Sequence, residues 1–224
     1  MSRSRPAASP GARLLAEFLG TALLLAGVIG SGIMAERLSP DDVGLQLLAN
    51  AGATVGVLYA IIVMFGPVSG AHFNPVVTMA DVLLGGSAGS AERWYPVAQL
   101  AGGVAGVAVA NAMFDLPVIE LSEKARDGAP LYLGEVVATF GLVLLVFSLV
   151  RTDRGHLVAG AVAAYIGGAY WFTSSTSFAN PAVTAARTLS DTFAGIDPGS
   201  APAFVACQIL GMALAVGAAR VLYP

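Results

Sequence analysis

With 224 residues, 56% of them hydrophobic and only 11% charged, the chain lies outside the soluble globular range, where about a quarter of residues are charged. Its formal net charge of −3 is spread thinly and forms no basic patch, which argues against nucleic acid as a partner. A mean hydropathy of +0.77 points instead to a polytopic membrane protein working within the bilayer, with little chain left for an extramembrane domain.

A spanning helix needs about 20 mostly apolar residues, and six stretches qualify. The first, 12–34, follows Arg3, Arg5 and Arg13 and so resembles a signal peptide at its start. It is long, carries Glu17 and has no clean small-residue cleavage site, so it reads as a retained helix behind a flexible tail, 1–11. The others are 43–66, 93–114, 131–150, 157–173 and 201–223. An even number of spans puts both termini on one side. That side carries Arg3, Arg5, Arg13, Arg93, Arg151, Arg154 and Arg220; the other carries Arg37, Lys124, Arg126 and Arg187. The excess makes the first side cytoplasmic, in a cell (inner) membrane.

Two apolar segments, 74–84 and 180–190, are too short to span. At about 1.5 Å per residue each crosses half a bilayer core. Each opens with Asn-Pro, a favoured N-cap followed by the residue best suited to the first helical position. Small, polar stretches precede them, PVSGAHF at 67–73 and TSSTSFA at 173–179. Non-helical backbone at membrane depth is tolerated where it lines a cavity or is buried in protein, so both segments read as re-entrant loops leading into half-helices.

The chain also repeats itself. Glu17 and Thr21 match Glu135 and Thr139, Asn74-Pro75-Val76-Val77-Thr78 matches Asn180-Pro181-Ala182-Val183-Thr184, and Gln99 matches Gln208. Each half, 12–114 and 131–223, holds three spans and one half-helix, so the second half is inverted within one domain, 12–224. Interrupted segments in matching positions of an inverted repeat place a site at the midplane. The half-helices then meet N-terminus to N-terminus, each with roughly half a positive charge. Each Asn caps its own helix through its oxygen and aims its amide N–H groups into the lumen. Such a centre repels cations and interrupts a proton-conducting file of waters, while the carbonyls of 69–72 and 175–178 offer acceptors.

The paired Asn-Pro-(Val/Ala) segments, Ser69-Gly70-Ala71-His72-Phe73 and the Glu-x-x-x-Thr starts of helices one and four resemble the aquaporin and glycerol-facilitator family over residues 12–223. The resemblance implies an all-α right-handed bundle of six transmembrane helices and two half-helices, one pore per subunit, assembled as a homotetramer. It implies passive movement of small uncharged solutes, without enzymatic activity or cofactor. Val76 stands where Ala is usual. The larger departure is Val183, where the family carries its filter arginine. The remaining filter positions carry over by spacing to Thr54, Gly168 and Ser177. Four small or medium, uncharged residues imply a wide constriction for glycerol-like polyols as well as water. The stretch from Ser174 to Pro198 is also similar to a bacterial branch often encoded beside arsenic-resistance genes. Arsenous acid is neutral and bears three hydroxyls, and methylated arsenicals are bulkier still, so both suit such a filter.

Several residues carry two readings. Arg187 sits one turn beyond Val183 and either replaces the missing arginine or pairs with Asp191 or a lipid headgroup, the second being preferred. Glu17 and Glu135 are proton relays or, as the resemblance implies, acceptors for the loop amides. His72 is a pH gate or a buried hydrogen-bonding residue behind the loop. Gln99 and Gln208 are expected to bridge helices to half-helices. Ser69, Gly70, Ala71, His72, Ser175 and Thr176 are expected to line the pore. Gly52/Gly56 and Gly102/Gly106 read as close helix contacts, Tyr95, Tyr170 and Trp171 as interfacial belt residues, and Cys207 as a small buried hydrophobe. The rival functions are a water-selective aquaporin and an ion-coupled transporter. With His72 and His156 as the two histidines and no metal-binding or hydrolase motif, an intramembrane enzyme has little to build on.

Overall fold

A computed structural model describes residues 8–86 and 90–224. Arg3, Arg5 and the first seven residues of the expected tail lie outside it. Among the described residues the chain is all helix and loop: α1 (Pro10–Leu38), α2 (Val43–Ser69), α3 (Pro75–Leu83), α4 (Tyr95–Met113), α5 (Ala129–Arg151), α6 (Val158–Phe172), α7 (Pro181–Arg187) and α8 (Ala201–Leu222).

The expected spans correspond to α1, α2, α4, α5, α6 and α8. Five are long and apolar enough to cross a membrane, α4 being counted with the 3-10 turn at Glu92–Trp94. The sixth, α6, has 15 residues, or about 22 Å at 1.5 Å per residue. It hands over at Thr173, whose backbone N–H returns to Ala169 O, to the loop that leads into α7. Helix α2 runs through Pro67 to Ser69, because a proline in the last turn forfeits one backbone bond without stopping the helix.

Helix α1 packs on α4 and α2, α5 on α8, and α2 on α6. The α1–α4 approach needs glycine: a Cβ at Gly102 would collide with the carbonyl of Phe18, and one at Gly106 with that of Ala22. Across the other half, a Cβ at Gly211 would lie 2.6 Å from Val136 O. Gly52 and Gly56 are different. Nothing lies within 4 Å of either Cβ position, so they face outward from α2 and make no close contact within the subunit. The main apolar core runs from Leu25, Val28 and Ile29 of α1 through Leu58 and Ile61 of α2 to Leu142 of α5 and Ile166 of α6, surrounding the two loops.

Candidate functional site: a pore centred on two half-helices

The two re-entrant loops adopt the same unusual backbone. Gly70, Ala71 and Phe73 have φ of 90°, 54° and 49°; Thr176, Ser177 and Ala179, each 106 positions later, have 62°, 52° and 49°. Five of these six lack glycine's freedom, and each such residue costs of order 1–3 kcal/mol unless its surroundings hold it.

Two buried carboxylates do the holding. Glu17 of α1 accepts from the backbone N–H of His72 (3.0 Å) and Phe73 (2.7 Å), from Ser69 Oγ (2.6 Å) and from Gln99 Nε2 (2.7 Å). Glu135 of α5 accepts from the N–H of Phe178 and Ala179, both at 2.9 Å, and from Gln208 Nε2 at 2.6 Å. Each glutamine also donates to the half-helix, Gln99 to Thr78 Oγ1 (3.1 Å) and Gln208 to Thr184 Oγ1 (2.8 Å). Both carboxylates are fully buried, with their bonds committed to backbone N–H and glutamine amide donors and, for Glu17, the Ser69 hydroxyl.

Asn74 and Asn180 cap their helices as their sequence position predicts. Asn74 Oδ1 accepts from Val76 N at 3.1 Å, and Asn180 Oδ1 from Ala182 N at 3.0 Å and Val183 N at 3.3 Å. Pro75 and Pro181 follow at the first helical position, with Val76 and Ala182 buried behind. The amides do not both point wholly into the lumen. Asn74 Nδ2 donates to Ala179 O at 2.7 Å and Asn180 Nδ2 to Phe73 O at 2.8 Å, so each helix start is tied to the opposite loop. One N–H per amide is left for the lumen.

A cavity of about 500 Å³ runs past both asparagines. Its wall includes Gly70, Ala71, His72 and Phe73 of one loop and Ser177 and Phe178 of the other. Of the stretches expected to offer carbonyls, residues 70–72 and 177–178 line this cavity. Ser69 O is taken by the Tyr95 hydroxyl at 2.9 Å, and Ser175 and Thr176 lie off the wall. His72 lies on the wall with Nδ1 3.1 Å from Thr78 Oγ1 and its ring edge-on to Tyr95. Along each half-helix the third and seventh residues after the asparagine face the cavity: Val77 and Asp81 on α3, Val183 and Arg187 on α7.

The carried-over filter needs correction. Thr54 and Val183 line the cavity, but Gly168 does not. The lining residues of α6 recur every four positions, Val158, Val162, Ile166 and Tyr170, and a residue two positions from Tyr170 is turned about 200° away. Gly168 accordingly neighbours the outward-facing Phe172. Tyr170 takes the wall, its hydroxyl 3.2 Å from Thr54 Oγ1. Ser177 reaches the wall, yet its hydroxyl is buried without a partner.

Arg187 departs most from expectation. It makes no ion pair with Asp191, whose carboxylate accepts from Glu123 N (3.1 Å) and Ser122 Oγ (3.4 Å). It is 3% exposed, donates from Nε to Ala194 O, and lays its guanidinium over Phe178 with Cζ 3.4 Å from the ring centroid. Tyr95 and Tyr170 are likewise buried; of the three expected belt residues only Trp171 is exposed, at 53%. Cys207 is half-buried.

The segment between α4 and α5 covers this end. Ser122 N donates to Thr188 O (3.0 Å) and Glu120 N to Leu189 O (3.2 Å), which ends α7 at Arg187. Arg126 donates from Nε to Gly195 O at 2.9 Å and stands over the Phe178 ring with Cζ 5.0 Å from its centroid. Burial, with Arg126 and Arg187 nearby, pushes the Lys124 ammonium down to about 8, and burial pushes Arg126 down to about 10.

The sequence profile of the Major intrinsic protein family matches residues 7–176. Aquaglyceroporin AqpS of Rhizobium meliloti (strain 1021) is 48% identical over 208 residues, covering 93% of this chain and 88% of that protein. Aquaporin-5 of Ovis aries is 35% identical over 162 residues, 69% of this chain and 58% of the aquaporin. The fold matches the aquaglyceroporin of Plasmodium falciparum with a TM-score of 0.74 at 15% identity, covering 96% and 97% of the two chains. The half-helix pore is thus seated in a sequence matched across most of its length, and the chain belongs to the Major intrinsic protein family.

Proposed function

We propose that this chain is a passive channel for neutral, hydroxylated solutes of glycerol size, together with water, and that arsenous acid and methylated arsenicals share the route. The observation that carries the reading is the crossed pair of bonds from Asn74 to Ala179 O and from Asn180 to Phe73 O. They fix two amides on the wall of one cavity, each with one N–H to spare. A hydroxylated solute there exchanges a water hydrogen bond for a protein one, while a file of waters meets donors and cannot pass a proton. The wall is mostly apolar elsewhere (Leu24, Val28, Leu58, Leu142), which suits the carbon side of a polyol. The likeness to an aquaglyceroporin over nearly the whole chain supports the same solutes. Neither buried glutamate is free to relay protons, which counts against an ion-coupled transporter. The family likeness further supports a homotetramer in the cell membrane with cytoplasmic termini.

A water-selective channel is the second reading, favoured by one observation: Tyr170 lines the cavity where the small Gly168 was expected, and Arg187 lines it too. Stopped-flow light scattering on proteoliposomes decides. Fast glycerol and arsenous acid flux above empty liposomes supports the first reading; water flux alone selects the second.

A further inference from the structure

We infer that Arg187 supplies the fixed positive charge of the outer constriction, standing one helical turn beyond the position where Val183 leaves it vacant. The inference rests on the channel reading above.

The geometry points there in three ways. Residues four apart share a helix face, and the Cα of Arg187 is about 6 Å further along α7 than that of Val183. Side chains on a helix lean toward its N-terminus, so a long arginine at 187 reaches back toward the level of Val183 and the pore centre. The matched residue of the other half, Asp81, also lines the cavity, so the seventh position after the asparagine faces the lumen in both halves. Finally, the guanidinium is held but not consumed. Nε donates to Ala194 O and the plane lies on Phe178, while neither Nη has a hydrogen-bond partner among the described residues. Neither Nη counts among the buried polar atoms lacking a partner, so in a residue 3% exposed they open onto the cavity it lines. Tyr170, Thr54 and Val183 line the same cavity.

This arrangement gives the entrance a cation that repels other cations and a pair of donors for a passing hydroxyl. Helix α7 has only seven residues, so its dipole alone is a weak guard. Because the arginine is anchored from outside, Val183 leaves the wall beneath it apolar. The constriction then combines exclusion of ions with room for a solute bulkier than water.

The test uses full-length protein in proteoliposomes and reads potassium leak and glycerol flux for the wild type, Arg187→Gln and Arg187→Lys. Loss of the charge is expected to raise potassium leak by about tenfold in Arg187→Gln, with glycerol flux kept or increased, while Arg187→Lys stays tight. Equal leak in all three overturns the inference and leaves the channel reading intact. Wild-type protein that passes neither water nor glycerol overturns the channel reading and the inference with it. Where Arg187→Gln fails to assemble, phenylglyoxal is applied to the wild type and adducts are mapped by mass spectrometry. An adduct on Arg187 with rising leak supports the inference. An adduct without a change in leak, or no adduct under conditions that modify the exposed Arg37, overturns it.

Discussion

The hydroxyl of Tyr170 lies 3.2 Å from Thr54 Oγ1, joining α6 to α2 across the outer cavity wall. Thr54 also donates to Asn50 O at 2.8 Å, so its hydroxyl hydrogen is committed and Tyr170 is the donor between the two. The contact holds the Tyr170 ring on the cavity wall with one hydrogen bond.

Tyr170→Ala is therefore expected to widen the passage, raising the flux of a five-carbon polyol relative to glycerol several-fold. Tyr170→Phe keeps the ring and loses only one hydrogen bond, about 1 kcal/mol, so its solute profile is expected to stay near wild type. An unchanged profile in Tyr170→Ala, measured by light scattering, would remove Tyr170 from the constriction.

Glu135→Gln tests the loop anchors. Glu135 accepts three hydrogen bonds, and a glutamine turns an NH2 toward at least one donor. Each bond to a charged group is worth about 1.5–3 kcal/mol, so the variant is expected to lose thermal stability in detergent and most solute flux. A relay role predicts something else: a stable protein whose flux no longer follows the proton gradient. Wild-type glycerol flux is expected to be unaffected by an uncoupler.

The glycines separate cleanly. Gly102→Leu drives a side chain into the Phe18 carbonyl and is expected to prevent folding, whereas Gly52→Leu meets open space and should leave the subunit folded. Size-exclusion profiles and thermal unfolding distinguish the two.

Lys124 gives a pH dependence. Its ammonium donates to Phe193 O and titrates near 8 when folded against 10.5 for the free side chain. Between these values the unfolded chain binds the extra proton, so stability rises with pH over that window. The rise is expected to shrink in Lys124→Met, read as the difference in melting temperature between pH 7.5 and pH 10.

Much of this was legible in the residues. The Asn-Pro pairs marked both half-helix starts because cap and first-turn preferences are local. The Glu and Gln frame could be read from its repetition. The filter was less legible because it depends on helix phase and on where a helix ends. Counting back from Asn180 reached Gly168, but the facing stripe on α6 passes through Ile166 and Tyr170. An ion pair of Arg187 with Asp191 required α7 to continue to residue 190; it stops at Arg187, and Asp191 is bound by residues 122 and 123. Gly52/Gly56 and Gly102/Gly106 share one pattern, and a pattern says nothing about what stands opposite.

The crossed asparagine bonds also bear on how the chain is made. Glu17, the first loop and Gln99 all precede residue 114, so the anchor of that loop needs nothing from the second half. Phe73 O and Asn74 Nδ2, however, find their partners only when residues 179 and 180 arrive. Until then the nascent half presents an unpaired carbonyl and amide at membrane depth, a reason for it to stay sheltered in the insertion machinery. Closure of the lumen thus waits for the second half, and a chain arrested before Ala179 would hold its first loop anchored yet tied to nothing across the midplane.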